Sequence, residues 1–231
     1  MLVEQTVISA TGHTPGGWEH SSTQHWRVCT ICKNALDRAE HTYSDDTCTV
    51  CDYSKVTPFV DVPTNAYYFD AVQWAVENNI TAGTSDTTFS PDAPCTRAQA
   101  VSFLWRAAGR PPPTSSQLAF TDVAPDSYYR TAVLWAVENK ITSGTSAATF
   151  SPDATCTRGQ IVSFLCRAFG EPGSTDTPFT DVAPDAYYAG AVSWAVANGV
   201  TAGTGDGKFS PDADCTRGQI VSFLYRCRDK M

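Results

Sequence analysis

The chain of 231 residues has a formal charge of −8, with 42% apolar and 17% charged residues. This composition fits a globular protein. It argues against a nucleic-acid or anionic-membrane binder that works through a basic surface. No run of 18 apolar residues occurs, so no membrane-spanning helix is expected.

Residues 1–12 read as a short lead-in. They lack a basic stretch followed by an apolar one and are not a signal peptide. The expectation is that Met1 opens a fragment of a longer secreted chain. Residues 13–54 form a Cys/His-rich module that contains all four histidines of the chain. Its cysteines read C-x2-C-x15-C-x2-C, with Cys29, Cys32, Cys48 and Cys51 spaced as two zinc knuckles that would supply four thiolates to one tetrahedral ion. His25 and His41 are further candidate ligands. Either could replace a thiolate, or make a second site with His13 or His20. Paired disulfides and redox chemistry are the alternatives to zinc. A zinc ion fully coordinated by protein would be structural and would do no catalysis.

Residues 58–231 contain one unit three times: 58–110, 119–171 and 178–231. Phe-x-Asp-Val begins at Phe59, Phe120 and Phe179, and Cys-Thr-Arg-[Ala/Gly]-Gln follows 36 residues later at Cys95, Cys156 and Cys215. The connectors Gly109–Gln117 and Gly170–Pro178 are rich in Pro, Ser and Gly. Within a unit the pattern predicts helix, loop, helix. Tyr67, Tyr68, Ala71, Val72, Trp74, Ala75 and Val76 recur near helical spacing. Val62-Pro63-Thr64-Asn65 supplies turn and cap residues, and Asn78-Asn79 closes the helix. Ile80–Cys95 is a polar loop. The second helix starts at Thr96 and buries Ala100, Val101, Phe103, Leu104 and Ala107. One such helix pair cannot bury its apolar face alone, so the copies should pack on each other as an open solenoid or a closed three-fold assembly.

Thr96-Arg97-Ala98-Gln99 is a capping box, repeated at Thr157–Gln160 and Thr216–Gln219. Capping explains the threonine and the glutamine. It leaves Arg97, Arg158 and Arg217 unexplained, because a cation in the first turn opposes the helix dipole by roughly 0.3–1 kcal/mol relative to an acid. Two readings stand. Each arginine pairs with an acid such as Asp61, Asp122 or Asp181, or it completes an anion site with the free amides of the helix start. Trp74, Trp135 and Trp194 are core residues or sugar-stacking platforms. The pairs Tyr67-Tyr68, Tyr128-Tyr129 and Tyr187-Tyr188 place one ring inward and one at a rim. Cys95, Cys156 and Cys215 read as buried thiols, a three-thiolate metal site being the alternative. Arg106, Arg167 and Arg226 sit in the last turn, where the dipole favours them.

The ordered motifs Phe-x-Asp-Val, Trp-Ala, Ile-Thr-x-Gly, Phe-Ser-Pro-Asp and Thr-Arg-[Ala/Gly]-Gln resemble S-layer homology (SLH) repeats, over about three quarters of the chain. The resemblance implies a mainly α, pseudo-three-fold helical domain. It implies an extracellular, non-catalytic anchor on the Gram-positive cell wall, a monomer whose grooves bind secondary cell wall polysaccharide through a ketal-linked pyruvate. Arg97, Arg158 and Arg217 would be the groove arginines, with Asp61, Asp122, Asp181, Trp74, Trp135 and Trp194 beside them. Gly83, Gly144 and Gly203 would let the loop backbone approach the sugar. The family motif most often ends in Glu, where all three copies here have Gln. A self-assembling surface-layer subunit and a zinc-ribbon interaction protein are the rival readings. No Ser/His/Asp set, phosphate loop or catalytic-metal motif appears.

Overall fold

The computed structural model describes residues 12–21 and 23–231, so the lead-in lies almost wholly outside the described residues. The chain divides into two compact units, Met1–Val56 and Thr57–Met231.

The first unit is built from strands. β1 (Pro15–His20), β2 (Gln24–Cys29) and β3 (Ala35–Glu40) form an antiparallel sheet in that order. β4 (Tyr43–Ser44) and β5 (Thr47–Cys48) form a hairpin. Its two turn residues, Asp45 and Asp46, both have positive φ (48° and 61°), the geometry of a tight type I′ connection. Each Cys-x-x-Cys closes the same local turn. The residue after it, Lys33 or Asp52, is left-handed and donates its amide to the carbonyl of the first cysteine at 3.0 Å.

The second unit holds the helices: α1 (Phe69–Glu77), α2 (Arg97–Ala107), α3 (Arg130–Glu138), α4 (Arg158–Phe169), α5 (Ala189–Ala197) and α6 (Arg217–Cys227), two per repeat. Among the described residues helix is confined to the repeats and much of the rest is loop, so a mainly α architecture describes the scaffold of this unit rather than the whole chain. The second helix of each repeat begins as its sequence predicts. Thr96, Thr157 and Thr216 are N-caps, and both hydrogen bonds of the capping box form in all three copies. The first helices differ from expectation. They start after the tyrosine pair, with Tyr68, Tyr129 and Tyr188 at the N-cap and no side chain capping them. Val62-Pro63-Thr64-Asn65 instead forms the turn ahead of that start.

The assembly is closed. α1 packs on α6, α3 on α2 and α5 on α4, so each first helix lies against the second helix of the preceding repeat. α2, α4 and α6 meet one another around an axis. At that axis three extended segments form a ring of backbone hydrogen bonds. Cys95 donates to Cys215 (2.8 Å), Cys156 to Cys95 (2.9 Å) and Cys215 to Cys156 (2.8 Å). A single continuous core runs through all three repeats, from Phe59 and Val72 to Leu224 and Cys227.

Asp61, Asp122 and Asp181 tie the two ends of each repeat's loop together. Each carboxylate accepts from two successive amides, those of Phe89 and Ser90, Phe150 and Ser151, or Phe209 and Ser210, at 2.7–2.9 Å. Burial pushes the pKa of Asp122 and Asp181 up, but these amide donors outweigh it and hold both below the ordinary carboxylate value. A depressed folded-state value means that the stabilisation is present above about pH 4, the unfolded value, and is lost as pH falls through the lower folded one. Asp122→Asn and Asp181→Asn should therefore each lose about 1 kcal/mol at pH 7. They should also flatten the fall in stability between about pH 4 and pH 2, measured by denaturant titration across that range.

Candidate functional site

The helix starts are not open anion sites. In each second helix the first two amides donate to loop carbonyls of the next repeat. Arg97 and Ala98 reach Ala154 and Pro152, Arg158 and Gly159 reach Ala213 and Pro211, and Arg217 and Gly218 reach Ala93 and Pro91, at 2.7–3.0 Å. The third amide is taken by the capping threonine. The orphan donors of these helix ends are thus spent on joining repeats.

The arginine side chains make the same crossing. Nε of Arg97, Arg158 and Arg217 donates to the carbonyls of Phe150, Phe209 and Phe89 at 2.8–2.9 Å. Each guanidinium lies between two phenylalanine rings of the next repeat, Phe150 and Phe164, Phe209 and Phe223, or Phe89 and Phe103. The three residues are only 3–4% exposed. The carboxylates of Asp61, Asp122 and Asp181 are engaged by backbone amides, so the expected arginine–aspartate pairs do not form.

The three copies then diverge. Arg97 Nη2 donates to Thr142 Oγ1 at 3.4 Å, whereas Arg158 Nη2 and Arg217 Nη2 are buried and have no partner. Burial pushes the pKa of Arg158 and Arg217 down from the ordinary arginine value. A buried cation with an unspent donor is costly unless something outside the protein satisfies it.

The two arginines with an unspent donor line clefts that draw on all three repeats. The cleft of Arg217, about 380 Å³, is lined by Thr81, Gly83, Gln99, Ser102 and Arg106 of the first repeat and by Tyr128 of the second. The cleft of Arg158, about 330 Å³, has the matching set from the third repeat, including Thr201, Gly203, Gln219 and Arg226, with Tyr67 of the first. Both volumes lie in the range of small-ligand sites. Gln219 Oε1 accepts from Arg158 Nη1 at 3.3 Å, so the glutamine that replaces the family's usual glutamate lies against the arginine as a neutral acceptor. In the second repeat a cleft of about 290 Å³ is displaced over Cys166, Arg167 and Tyr187, and the connector closes one side, with Gly173 donating to the carbonyl of Gly190 at 3.0 Å.

Of the other expected site residues, Gly83 and Gly203 line the clefts and the tryptophans do not. Trp135 and Trp194 are buried, Trp74 packs against the core, and none of the three lines either arginine cleft. Gly83 has a positive φ of 87°, and a Cβ there would meet the Phe59 ring and the Thr88 carbonyl at 2.5 Å. Its freedom is thus required by the loop's own packing. Arg106 and Arg226, read from the sequence as dipole partners, prove to line the clefts while donating to the carbonyls of Ile80 and Val200. Their identical place in each repeat was the available signal. Tyr67 and Tyr128 are 64% and 63% exposed at the cleft rims.

The axial cysteines are buried thiols. Among the described residues they belong to no potential metal group. Burial pushes Cys156 and Cys215 up to about 12 and Cys95 higher still, so they stay neutral.

In the first unit the four cysteines do not converge on one centre. His25, His41, Cys48 and Cys51 form one group of donors and His13, Cys29 and Cys32 another, each within 4.8 Å. In the first group His25 Nδ1 lies 3.4 Å from His41 Nδ1 and 3.6 Å from Cys48 Sγ, and His41 Nδ1 lies 3.5 Å from Cys51 Sγ. A tetrahedral zinc with N at about 2.0 Å and S at about 2.3 Å has edges of about 3.3 Å (N···N) and about 3.5 Å (N···S). His41 Nε2 lies 2.9 Å from the Ser21 carbonyl. Donating there places its proton on Nε2 and leaves Nδ1 free to ligate. His20 packs on the Tyr53 ring and joins neither group among the described residues.

A closed three-repeat helical module with arginine clefts at the junctions defines a class of repeat domain. The S-layer homology domain description matches residues 58–101, 119–162 and 178–221, and the chain belongs to that family. It is 31% identical over 167 residues to the Surface-layer 125 kDa protein of Lysinibacillus sphaericus, covering 70% of this chain and 14% of that protein. A Cell surface protein of Thermoanaerobacter kivui is 31% identical over 113 residues, 46% of this chain and 15% of its own length. An Endoglucanase of Bacillus sp. (strain KSM-635) is 34% identical over 113 residues, 48% of this chain and 12% of its own. The chain thus spans less than a sixth of each of these relatives.

Thiol labelling checks the placement of the cysteines. In native, metal-free protein, exposed Cys32 should react first with a thiol reagent. Cys95, Cys156, Cys166, Cys215 and Cys227, all buried, should stay unreacted until denaturant is added. Fast native labelling at Cys95, Cys156 or Cys215 would contradict the closed axis.

Proposed function

We propose that the repeat unit is a non-catalytic anchor that holds the protein at the cell surface by binding an acidic wall polysaccharide in two clefts, those of Arg217 and Arg158. One observation carries this reading: each cleft is lined by an arginine whose Nη2 is buried without a partner, beside hydroxyls and a rim tyrosine. A carboxylate would satisfy that donor by a charge-assisted hydrogen bond, while the glutamine beside Arg158 adds no repulsion. A ketal-linked pyruvate on a sugar offers such a carboxylate, and the threonine, serine and tyrosine groups suit the sugar hydroxyls. Acidic overall charge gives no long-range steering, so recognition rests on these local sites. Arg97 already has a side-chain partner, and its junction is not part of the proposal.

In the same reading the first unit is a structural metal module, with zinc held by His25, His41, Cys48 and Cys51. Four protein donors at tetrahedral spacing leave no position for catalysis.

Binding to purified pyruvylated cell wall tests the anchor. Arg158→Lys and Arg217→Lys keep the charge but lose the fork, and each should weaken binding roughly tenfold or more. The double variant should lose it, while Arg97→Lys should retain it. Wild-type protein should also fail to bind wall from which the ketal pyruvate has been removed by mild acid. Unchanged binding by the folded double variant would overturn the reading, and unchanged binding to stripped wall would reject the carboxylate.

A further inference from the structure

We propose that His13, Cys29 and Cys32 hold a second divalent ion of the zinc class, separate from the four-donor centre and with one coordination position open to solvent. The proposal stands on a different donor set from the closed centre of the structural module.

The second set is built in the same way as the first. Cys29-Thr-Ile-Cys32 closes the same left-handed turn as Cys48-Thr-Val-Cys51, with Lys33 in the role of Asp52. Each turn holds its two thiols on one side of a short loop. Strand pairing brings the third donor in. Pro15 of β1 is the register partner of Cys29, and the Thr30 amide donates to the Thr14 carbonyl at 2.9 Å. That bond fixes the backbone next to His13, whose Nδ1 lies 3.2 Å from Cys32 Sγ. The arrangement is thus imposed by the sheet and does not rest on a chance meeting of side chains.

The two sets differ in donor number and exposure. His25 and Cys48 of the four-donor set are buried, and His41 and Cys51 are half-buried. In the three-donor set Cys29 is buried, but Cys32 and His13 are exposed. Among the described residues no fourth His, Cys, Asp or Glu donor completes the group. Two soft thiolates and an imidazole select zinc-class ions over magnesium or calcium. Three protein ligands leave a tetrahedral ion one position, which water or an added donor takes.

Metal analysis of the full chain, reconstituted with excess zinc and freed of loose ion, tests this. The expected result is two ions per chain, one released to a chelator at least about tenfold faster than the other. Cys32→Ser should leave one ion and abolish the fast phase. Cys51→Ser should leave one ion and abolish the slow phase. His13→Ala, a change at an exposed residue, should accelerate or abolish the fast phase with the circular dichroism unchanged. In the cobalt-substituted chain, added imidazole should alter the visible bands of wild type and of Cys51→Ser, but not of Cys32→Ser. A stoichiometry of one that survives Cys32→Ser overturns the second site and leaves the closed centre standing. A stoichiometry of one that is lost in both cysteine variants means a single shared centre and overturns both. Absence of metal in reduced protein also overturns both.

Discussion

The repeat unit depends on one crossing. The amides that begin each second helix, and the arginine that follows the cap, are satisfied by the loop carbonyls of the next repeat. A helix start exposes donors that must be paired when they are buried. Here no repeat can pair them alone, so each supplies acceptors to its predecessor, and the third to first junction closes the circle. The cysteine ring at the axis is the same device in backbone form. Three helix pairs too small to bury their own apolar faces thereby share one core.

This constraint also positions the clefts. The arginine cannot leave its junction, because its Nε is spent on the neighbouring carbonyl and its plane is held between two phenylalanine rings. What remains is the far edge of the guanidinium. At two junctions the Nη2 on that edge has no partner, and at the third a threonine hydroxyl takes it. A rigidly held donor loses little freedom when a ligand arrives, which favours recognition of a small acidic group on a long, flexible polymer. In the proposed function, structural and binding roles fall on different nitrogens of one side chain.

The first unit shows a comparable division of labour. Two copies of one turn carry two cysteines each, yet the histidines that the sheet brings to them differ in number. One copy receives two buried or half-buried imidazoles, the other a single exposed one. Regular cysteine spacing suggested one shared centre because spacing alone does not say which knuckle faces which. The sheet register decides it, by setting His25 on β2 near Cys48 and His13 beside the start of β1 near Cys32.

The sequence by itself determined the features that depend on neighbouring residues. The three units, the capping boxes at Thr96, Thr157 and Thr216, the cysteine knuckles and the leftover arginines were all legible, because caps and turns are short-range chemistry. The tertiary structure decided whatever depends on pairing across repeats. It closed the ring, spent the helix-start amides on carbonyls more than fifty residues away, and turned the aspartates to the loop amides. It also packed the tryptophans against the core and brought the Nη2 of Arg97, but not that of Arg158 or Arg217, within hydrogen-bond distance of the neighbouring threonine hydroxyl. Three nearly identical motifs look equivalent in sequence. They differ in the fold in how closely each guanidinium approaches the equivalent threonine of the next repeat.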